Sequence, residues 1–539
     1  MLGIAIRRES SQGVSEVNDG VNVMDFFTTH IFPELQDSNH NSRPMVKATA
    51  LKFVCTFRNQ FSREQIVALL PLLIAHLGSP HVPVHTFAAY AIERILVAKE
   101  ADASGVKRSK ITVSELNPFL EPLFTGLFAI VDNTEWNEND HVMKCIMRSL
   151  ATAGEHVIPI TNIVFNKLAS ALERVCKNPR NPQFNHYLFE SIAVLVRNVC
   201  SKDPSQTSQL EALLFPPFQT VLQMEITEFT PYVFQVLAQL LEYRPAQAGL
   251  GESYTMLFQP LLTPTLWERK GNVPALTRLM QAYLKKAAPE LVAHLMPVLG
   301  IFQKLVSSPA TEQSSFELLN AIILFMPRDA YSPHLKTVFT ILFTRLQGKK
   351  SVRYVRLITG FFALFAGKFG AQAFYDSLNQ VQPGIALTLL VQVWVPRLKS
   401  DAPVRMESKI QAVGLTRVLC DNATLLSDDN GKKIWASAFA GLVSILTNPS
   451  WAASTADDDD VEIEIGYDST FSSLTYARKA VEDPFKEIAD PVSAFAQSLQ
   501  TLNASNPGIL TPIIQQGLGQ DEKLSVGFQA MLQKAGVQL

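Results

Sequence analysis

The chain has 539 residues, of which 47% are hydrophobic and 18% charged, and 47 Lys and Arg offset 49 Asp and Glu to leave a formal net charge of −2. A chain this apolar with so little net charge is not intrinsically disordered, and without an excess of Lys and Arg it lacks the electrostatic footprint of a nucleic-acid-binding protein. Cys55, Cys145, Cys176, Cys200 and Cys420 are scattered, odd in number and form no CxxC pair, which fits a reducing compartment better than a disulfide framework.

From the amino terminus onward, apolar residues recur at three- and four-residue spacing, and strict alternation is almost absent. Met1 to Ile6 is short and apolar with Arg7 and Arg8 behind it, the reverse of a secretory leader, and a helix is expected to begin within these first residues without a start signal. The clearest stripe is Ile66, Leu69, Leu70, Leu73, Ile74 and Leu77, on a helix that Ser62 and Gln65 open as a capping box. Further stripes run from Val84 to Val97, Val142 to Thr152, Ile160 to Val175, Phe184 to Cys200, Tyr232 to Leu241, Pro274 to Leu284, Phe316 to Phe325, Val338 to Leu346 and Val413 to Leu419. No run reaches the roughly 20 apolar residues of a membrane span: Pro71 and His76 interrupt Ile66 to Leu77, and Ile358 to Ala366 ends at Lys368.

Short breaks separate the stripes, among them Gly78-Ser79-Pro80, Asn178-Pro179, Pro245 to Gly251, Ser307 to Pro309 and Gln382-Pro383-Gly384, and most of the 31 prolines fall where helices start or stop. Paired stripes recur at about 40 residues, the period of HEAT-type helix hairpins. One such hairpin cannot bury its broad apolar face alone, so hairpins stack. The expected fold is therefore all-α, a right-handed superhelical α-solenoid of HEAT-type hairpins forming a single unit over residues 1–539. The competing reading, a compact all-helical enzyme, would favour long polar loops, and these are few. Two segments stand apart: Ala101 to Lys110, a polar connector expected to be a solvated loop, and the acidic loop 456–465, Ala-Asp-Asp-Asp-Asp-Val-Glu-Ile-Glu-Ile.

Chemistry-bearing motifs do not assemble. Gly348-Lys349-Lys350-Ser351 lacks the upstream glycine of a phosphate loop, Phe343 standing in its place, and Gly249-Leu250-Gly251 reads as a helix stop. His81 and His85 flank Pro83 with no acidic or thiol ligand near in sequence, so loop and capping roles are expected, and His186 reads as a hydrogen-bonded histidine at a hairpin junction. No catalytic residue, metal ligand or cofactor is assigned. Trp267, beside Glu268, Arg269 and Lys270 at a turn that opens a new helix, reads either as a partner anchor together with Arg269 or as a tryptophan sealing a hairpin junction.

Phe57-Arg58-Asn59-Gln60, Val84 to Arg94, Ile146-Met147-Arg148-Ser149, Phe184-Asn185-His186-Tyr187-Leu188-Phe189-Glu190, Pro231-Tyr232-Val233-Phe234-Gln235-Val236, Leu266-Trp267-Glu268-Arg269, Gly271 to Leu276, Phe302 to Leu305 and Ala412 to Thr416 resemble, in order, the C-terminal part of the exportin-2 (CAS) family of karyopherins. The resemblance covers nearly the whole chain. It implies a nuclear transport receptor that shuttles between nucleus and cytoplasm. Such a receptor would carry importin-α out with the small GTPase Ran in its GTP form and touch nuclear pore components, with no chemistry, nucleic-acid binding or membrane insertion. A HEAT scaffold indifferent to Ran is the alternative. The family's N-terminal importin-β-like repeats are absent here and Met1 falls within what would be a mid-chain repeat, so a fragment, truncated gene model or natural short form is expected, with weak RanGTP binding by this chain alone. Relatives carry an acidic insert at the same place. The expected partner surface is thus Asp457, Asp458, Asp459, Asp460, Glu462 and Glu464, facing the Arg/Lys-rich region of importin-α, against the plainer reading of a solvated loop.

Overall fold

The computed structural model describes residues 5–10, 13–101, 105–348, 350–447, 473–478 and 481–539. It divides into two compact units, Met1–Gly249 with Ile465–Arg478 and Leu250–Glu464 with Lys479–Leu539.

The first unit opens with a β-hairpin, β1 (Ile6–Ser10) against β2 (Gly13–Val17), where the sequence reading expects a helix. Contacts distant in sequence hold the hairpin: Val14 is fully buried and the amides of Asn59 and Gln60 donate to its carbonyl at 3.4 and 3.3 Å, while the exposed Arg8 faces Glu16 across the strands at 3.6 Å and adds little. Then come the helices α1 (Pro44–Phe57), α2 (Arg63–Ala75), α3 (Val82–Leu96), α4 (Leu120–Asp132), α5 (Asp140–Ala153), α6 (Thr161–Lys177), α7 (Pro182–Lys202), α8 (Thr207–Gln223) and α9 (Thr230–Tyr243). Side-chain caps start several of them: the Ser62–Gln65 box is formed at α2, and Asn139 and Asn181 cap α5 and α7.

Successive helices pair as α2 with α3, α4 with α5, α6 with α7 and α8 with α9, and the pairs stack so that α1, α3, α5, α7 and α9 form one layer and α2, α4, α6 and α8 the other. This is the HEAT arrangement expected from the 40-residue period. The connector from Ala101 to Lys110 is a second correction: β3 (Lys99–Ala101) pairs with β4 (Lys107–Ser109). Lys110 is buried, its ammonium donating to the carbonyls of Phe61 at 2.7 Å and Asn59 at 3.3 Å. A lysine read as solvated thus holds the turn between α1 and α2.

The second unit contains α10 (Glu252–Leu261), α11 (Val273–Ala287), α12 (Leu295–Val306), α13 (Glu312–Phe325), α14 (Leu335–Gly348), α15 (Val352–Asn379), α16 (Arg405–Cys420), α17 (Asp429–Thr447), α18 (Pro491–Ser505), α19 (Leu510–Leu518) and α20 (Glu522–Ala535). Here α11, α13, α15 and α16 pack in succession, α12 and α14 covering them from the other layer. α15 and α16 cross closely, so that a Cβ on Gly414 would lie 2.4 Å from the Ala363 carbonyl oxygen. Among the described residues α15 alone has the length and hydropathy of a membrane span. Its backbone breaks at Gly370, φ 83°, most of its apolar residues are buried in this unit, and Lys368 donates to the carbonyls of Ile323 and Leu324 at 2.7 Å, covering the end of α13. The residue that ended the apolar run in the sequence closes a neighbouring helix.

Candidate functional site

The residues singled out in the sequence do not gather at one place. Asp457, Asp458, Asp459, Asp460, Glu462 and Glu464 lie outside the described residues. Trp267 is 2% exposed, its indole N–H donating to the Leu261 carbonyl at 2.8 Å, so of its two readings the ring has the environment of a junction seal. Arg269 is exposed. His85 bonds the Ser79 carbonyl through Nδ1, and His81 bonds Asn41 through Nε2, so the two rings have separate partners. All five cysteines are buried, and burial raises their thiols, those of Cys176 and Cys200 to about 11. Among the described residues, no group of three or more His, Cys, Asp or Glu is arranged to hold a metal.

What the structure does assemble is a polar site within the first unit, on the layer formed by α5, α7 and α9. α7 is buried almost all round, yet it carries Asn185, His186, Glu190, Ser191 and Asn198 among its buried residues, and α9 carries Gln235 and Gln239, both nearly inaccessible. Three of these polar groups, Glu190, Gln235 and Gln239, face a stretch of main chain, Ser473 to Arg478. Glu190 accepts from two successive backbone amides, Thr475 N–H to Oε1 at 2.6 Å and Tyr476 N–H to Oε2 at 3.0 Å. Gln235 accepts from the Leu474 amide at 2.8 Å, and Gln239 donates to the Tyr476 carbonyl at 3.1 Å. Arg148 of α5 donates to the Tyr476 hydroxyl at 3.3 Å, and the Arg197 guanidinium lies 4.8 Å from the centre of that ring. Leu474 and Ala477 are buried alongside.

The site is braced by its own helices. Gln239 also donates to the Ala193 carbonyl at 3.0 Å, the Gln235 amide donates to Pro231 O at 3.1 Å, and Arg148 is held by Glu93 of α3 at 3.3 Å. His186 Nδ1 is 3.0 Å from the Tyr232 hydroxyl while its Nε2 lies 3.8 Å from Glu190. Desolvation lifts the Glu190 carboxyl to about 7, against the pull of the Tyr476 and Thr475 amides, the Thr475 hydroxyl and Arg478; burial lowers the His186 imidazole to about 4.

A second stretch, Glu482 to Ile488, is held within the second unit. The Phe485 ring is 2% exposed and packs with Leu364 and Val413 over Gly367, where a Cβ would stand 2.4 Å from the ring. Lys409, 5% exposed, pairs with Asp483 and donates to the Phe485 carbonyl at 3.1 Å, and Lys285 pairs with Glu482 at 2.5 Å.

None of these contacts was foreseen, although a signal stood in the sequence. Glu190, Gln235 and Gln239 interrupt runs that are otherwise apolar on every face, and a polar side chain there has no solvent to reach and must find a partner inside.

Comparison with known proteins places these observations. A family model described as CAS/CSE protein, C-terminus, matches residues 93–527, and one described as Cse1 matches residues 1–92. Exportin-2 of Oreochromis niloticus is 37% identical over 536 residues, 98% of this chain and 54% of that protein, and exportin-2 of Homo sapiens is 35% identical over the same shares. The chain thus spans about half the length of these relatives. Among solved structures, the exportin Cse1 in its cargo-free, cytoplasmic state matches with a TM-score of 0.81 at 28% identity, covering 97% of this chain and 53% of that one. Importin beta matches at 0.53 and 12% identity over 94% of this chain and 58% of that one, a likeness of fold alone.

Proposed function

The chain belongs to the CAS/CSE family, and from that premise we propose that it works as the C-terminal part of a nuclear export receptor. Its cargo in this reading is importin-α, bound together with Ran in the GTP form, and it shuttles between nucleus and cytoplasm without performing chemistry of its own. The observation that carries the reading is the continuity of the match: family models cover residues 1–92 and 93–527 in order, and the Cse1 exportin overlays 97% of the chain. In physical terms the receptor couples two ligands. Each favours the same arrangement of stacked hairpins, so that binding one raises the affinity for the other by the same factor. Stacked repeats suit this, because small rotations between neighbours accumulate.

The acidic run Asp457 to Asp460 with Glu462 and Glu464 is proposed as a contact for the basic region of importin-α, through an attraction that speeds encounter and fades with salt. Neutralising those acids should slow importin-α association at low salt; an unchanged rate would remove that contact from the proposal. The larger claim is tested by joining this chain to the N-terminal half of human exportin-2 and measuring importin-α binding with Ran in its GTP and GDP forms. Export function predicts that importin-α binds far more tightly with RanGTP. Binding indifferent to the nucleotide would instead identify a scaffold.

A further inference from the structure

We propose that the Glu190 site is a docking site for a turn-forming peptide main chain, loaded in this chain by its own residues 473–478, and that this internal occupant is exchangeable. The proposal goes beyond the export reading and does not depend on it.

Three observations carry it. Recognition is directed mostly at atoms that every peptide possesses: the Leu474, Thr475 and Tyr476 amides and the Tyr476 carbonyl account for the bonds to Gln235, Glu190 and Gln239. The polar side-chain contacts are fewer: the Tyr476 ring and hydroxyl between Arg148 and Arg197, and the Thr475 hydroxyl and Arg478 against Glu190. The receptor groups are also pre-positioned by bonds within the helical layer, to Ala193, Pro231 and Glu93, so the site keeps its geometry when the occupant leaves, which lowers the ordering cost of rebinding. Finally, the occupant contributes no helix or strand. It is a turn closed by the Arg478 amide on the Thr475 carbonyl at 3.1 Å, and its release breaks no helix ladder.

The ligand class follows from the acceptors and donors. It is a turn-forming peptide offering two consecutive N–H groups to one carboxylate, a carbonyl to Gln239, an aliphatic side chain in the place of Leu474, and a tyrosine for the arginine pair. An emptied site takes from the buried Glu190 carboxylate its two amide donors, which is costly. The internal segment is therefore displaced by a competing segment rather than simply lost.

The test uses the whole chain with residues 472–479 replaced by a glycine–serine linker of equal length, and a fluorescent peptide of residues 472–479 added in trans. The expected result is saturable binding to the replaced chain, at least tenfold weaker binding to the intact chain whose site is filled, and a loss of at least tenfold when the replaced chain also carries Glu190→Gln. Failure of the peptide to bind a replaced chain that keeps its helical circular dichroism would overturn the proposal, as would loss of that helical signal on replacement. An independent measurement needs no variant. Hydrogen exchange of the Thr475 and Tyr476 amides in the intact chain should be at least a hundredfold faster than that of the α7 core amides. Exchange at the same rate as α7 would show a fixed core element and sink the idea.

Discussion

The stretches 473–478 and 482–488 lie close together in the chain and are held in opposite ways. In the first, buried side chains of α7 and α9 bond to backbone amides and a carbonyl; in the second, a ring seated over Gly367 and a pair between the buried Lys409 and the partly buried Asp483 do the holding. Main-chain recognition tolerates changes of sequence in the bound segment, because each peptide unit offers the same donor and acceptor. Side-chain recognition does not. The difference therefore separates a site that accepts many sequences from an anchor that accepts one.

The largest effect should come from the anchor. Phe485→Ala removes a ring buried against Leu364 and Val413, and truncations of this kind cost about 3–5 kcal/mol because the surrounding structure only partly fills the space. Urea unfolding should show a lower midpoint with an unchanged slope. A loss below about 1 kcal/mol would mean the ring does not anchor the segment. Next is Glu190→Ala, which leaves the Thr475 and Tyr476 amides without an acceptor, at about 1–3 kcal/mol for each. Its measurable consequence is local: protease cleavage between 473 and 478 should accelerate while α7 stays protected. If both contrasts hold, substitution of Thr475 by Ser or Val should be tolerated far better than any change at Phe485.

The fold was legible because a helix hairpin writes its buried face into its own sequence. The stripes from Ile66 to Leu77 and from Phe184 to Cys200, the Ser62–Gln65 box and the proline breaks are local signals, and each reappears as a helix or its end. The hairpin β1–β2 was missed because Val14 is held by Asn59 and Gln60, 45 and 46 residues away, which no local period announces. Lys110 was misjudged for a related reason. Its partner is the Phe61 carbonyl, about fifty residues away, and a long side chain read alone looks solvated. The Glu190 site was the least visible, since Thr475 and Tyr476 are 285 and 286 residues distant. The odd residues within α7 and α9 could be noticed, but not the segment that satisfies them.

A smaller effect divides the Glu190 site internally. Burial raises Glu190 from 4.5 to about 7, so the folded chain binds that proton more readily than the unfolded one, and the contribution to stability is full below 4.5 and lost as pH rises through about 7. His186 runs the other way: lowered by burial from 6.5 to about 4, it contributes stability that is full above 6.5 and lost as pH falls towards 4. Between pH 6.5 and 4.5 the two oppose each other; the other ionisable groups that face them are Arg148, Arg197, Arg478, Tyr232 and Tyr476. Relative to the parent chain, His186→Gln should gain stability as pH falls from 7 to 5, and Glu190→Gln should lose it. The expected size is about 1–2 kcal/mol over that window. Parallel profiles for the two variants would contradict this pairing of groups.

The smallest effect belongs to the charge pair that flanks the anchor. Lys285 and Glu482 meet at 2.5 Å, but their side chains are 33% and 38% exposed, so water competes for both and the long lysine loses rotamer freedom in making the contact. Pairs of this kind contribute about 0.2–1 kcal/mol and weaken with salt. Lys285→Met should accordingly move the urea midpoint by less than about 0.5 kcal/mol at physiological salt, and at 1 M salt by nothing measurable. Lys409→Met should behave differently, because Lys409 is 5% exposed and also donates to the Phe485 carbonyl, so its loss takes the donor from that carbonyl as well as from the partly buried Asp483, a loss that salt screens little. A salt-independent cost at Lys409 beside a salt-dependent one at Lys285 would place the specificity of the second stretch in its enclosed contacts, whereas equal salt dependence would mean that the ammonium of Lys409 is reached by solvent and that the ring alone distinguishes this anchor from the Glu190 site.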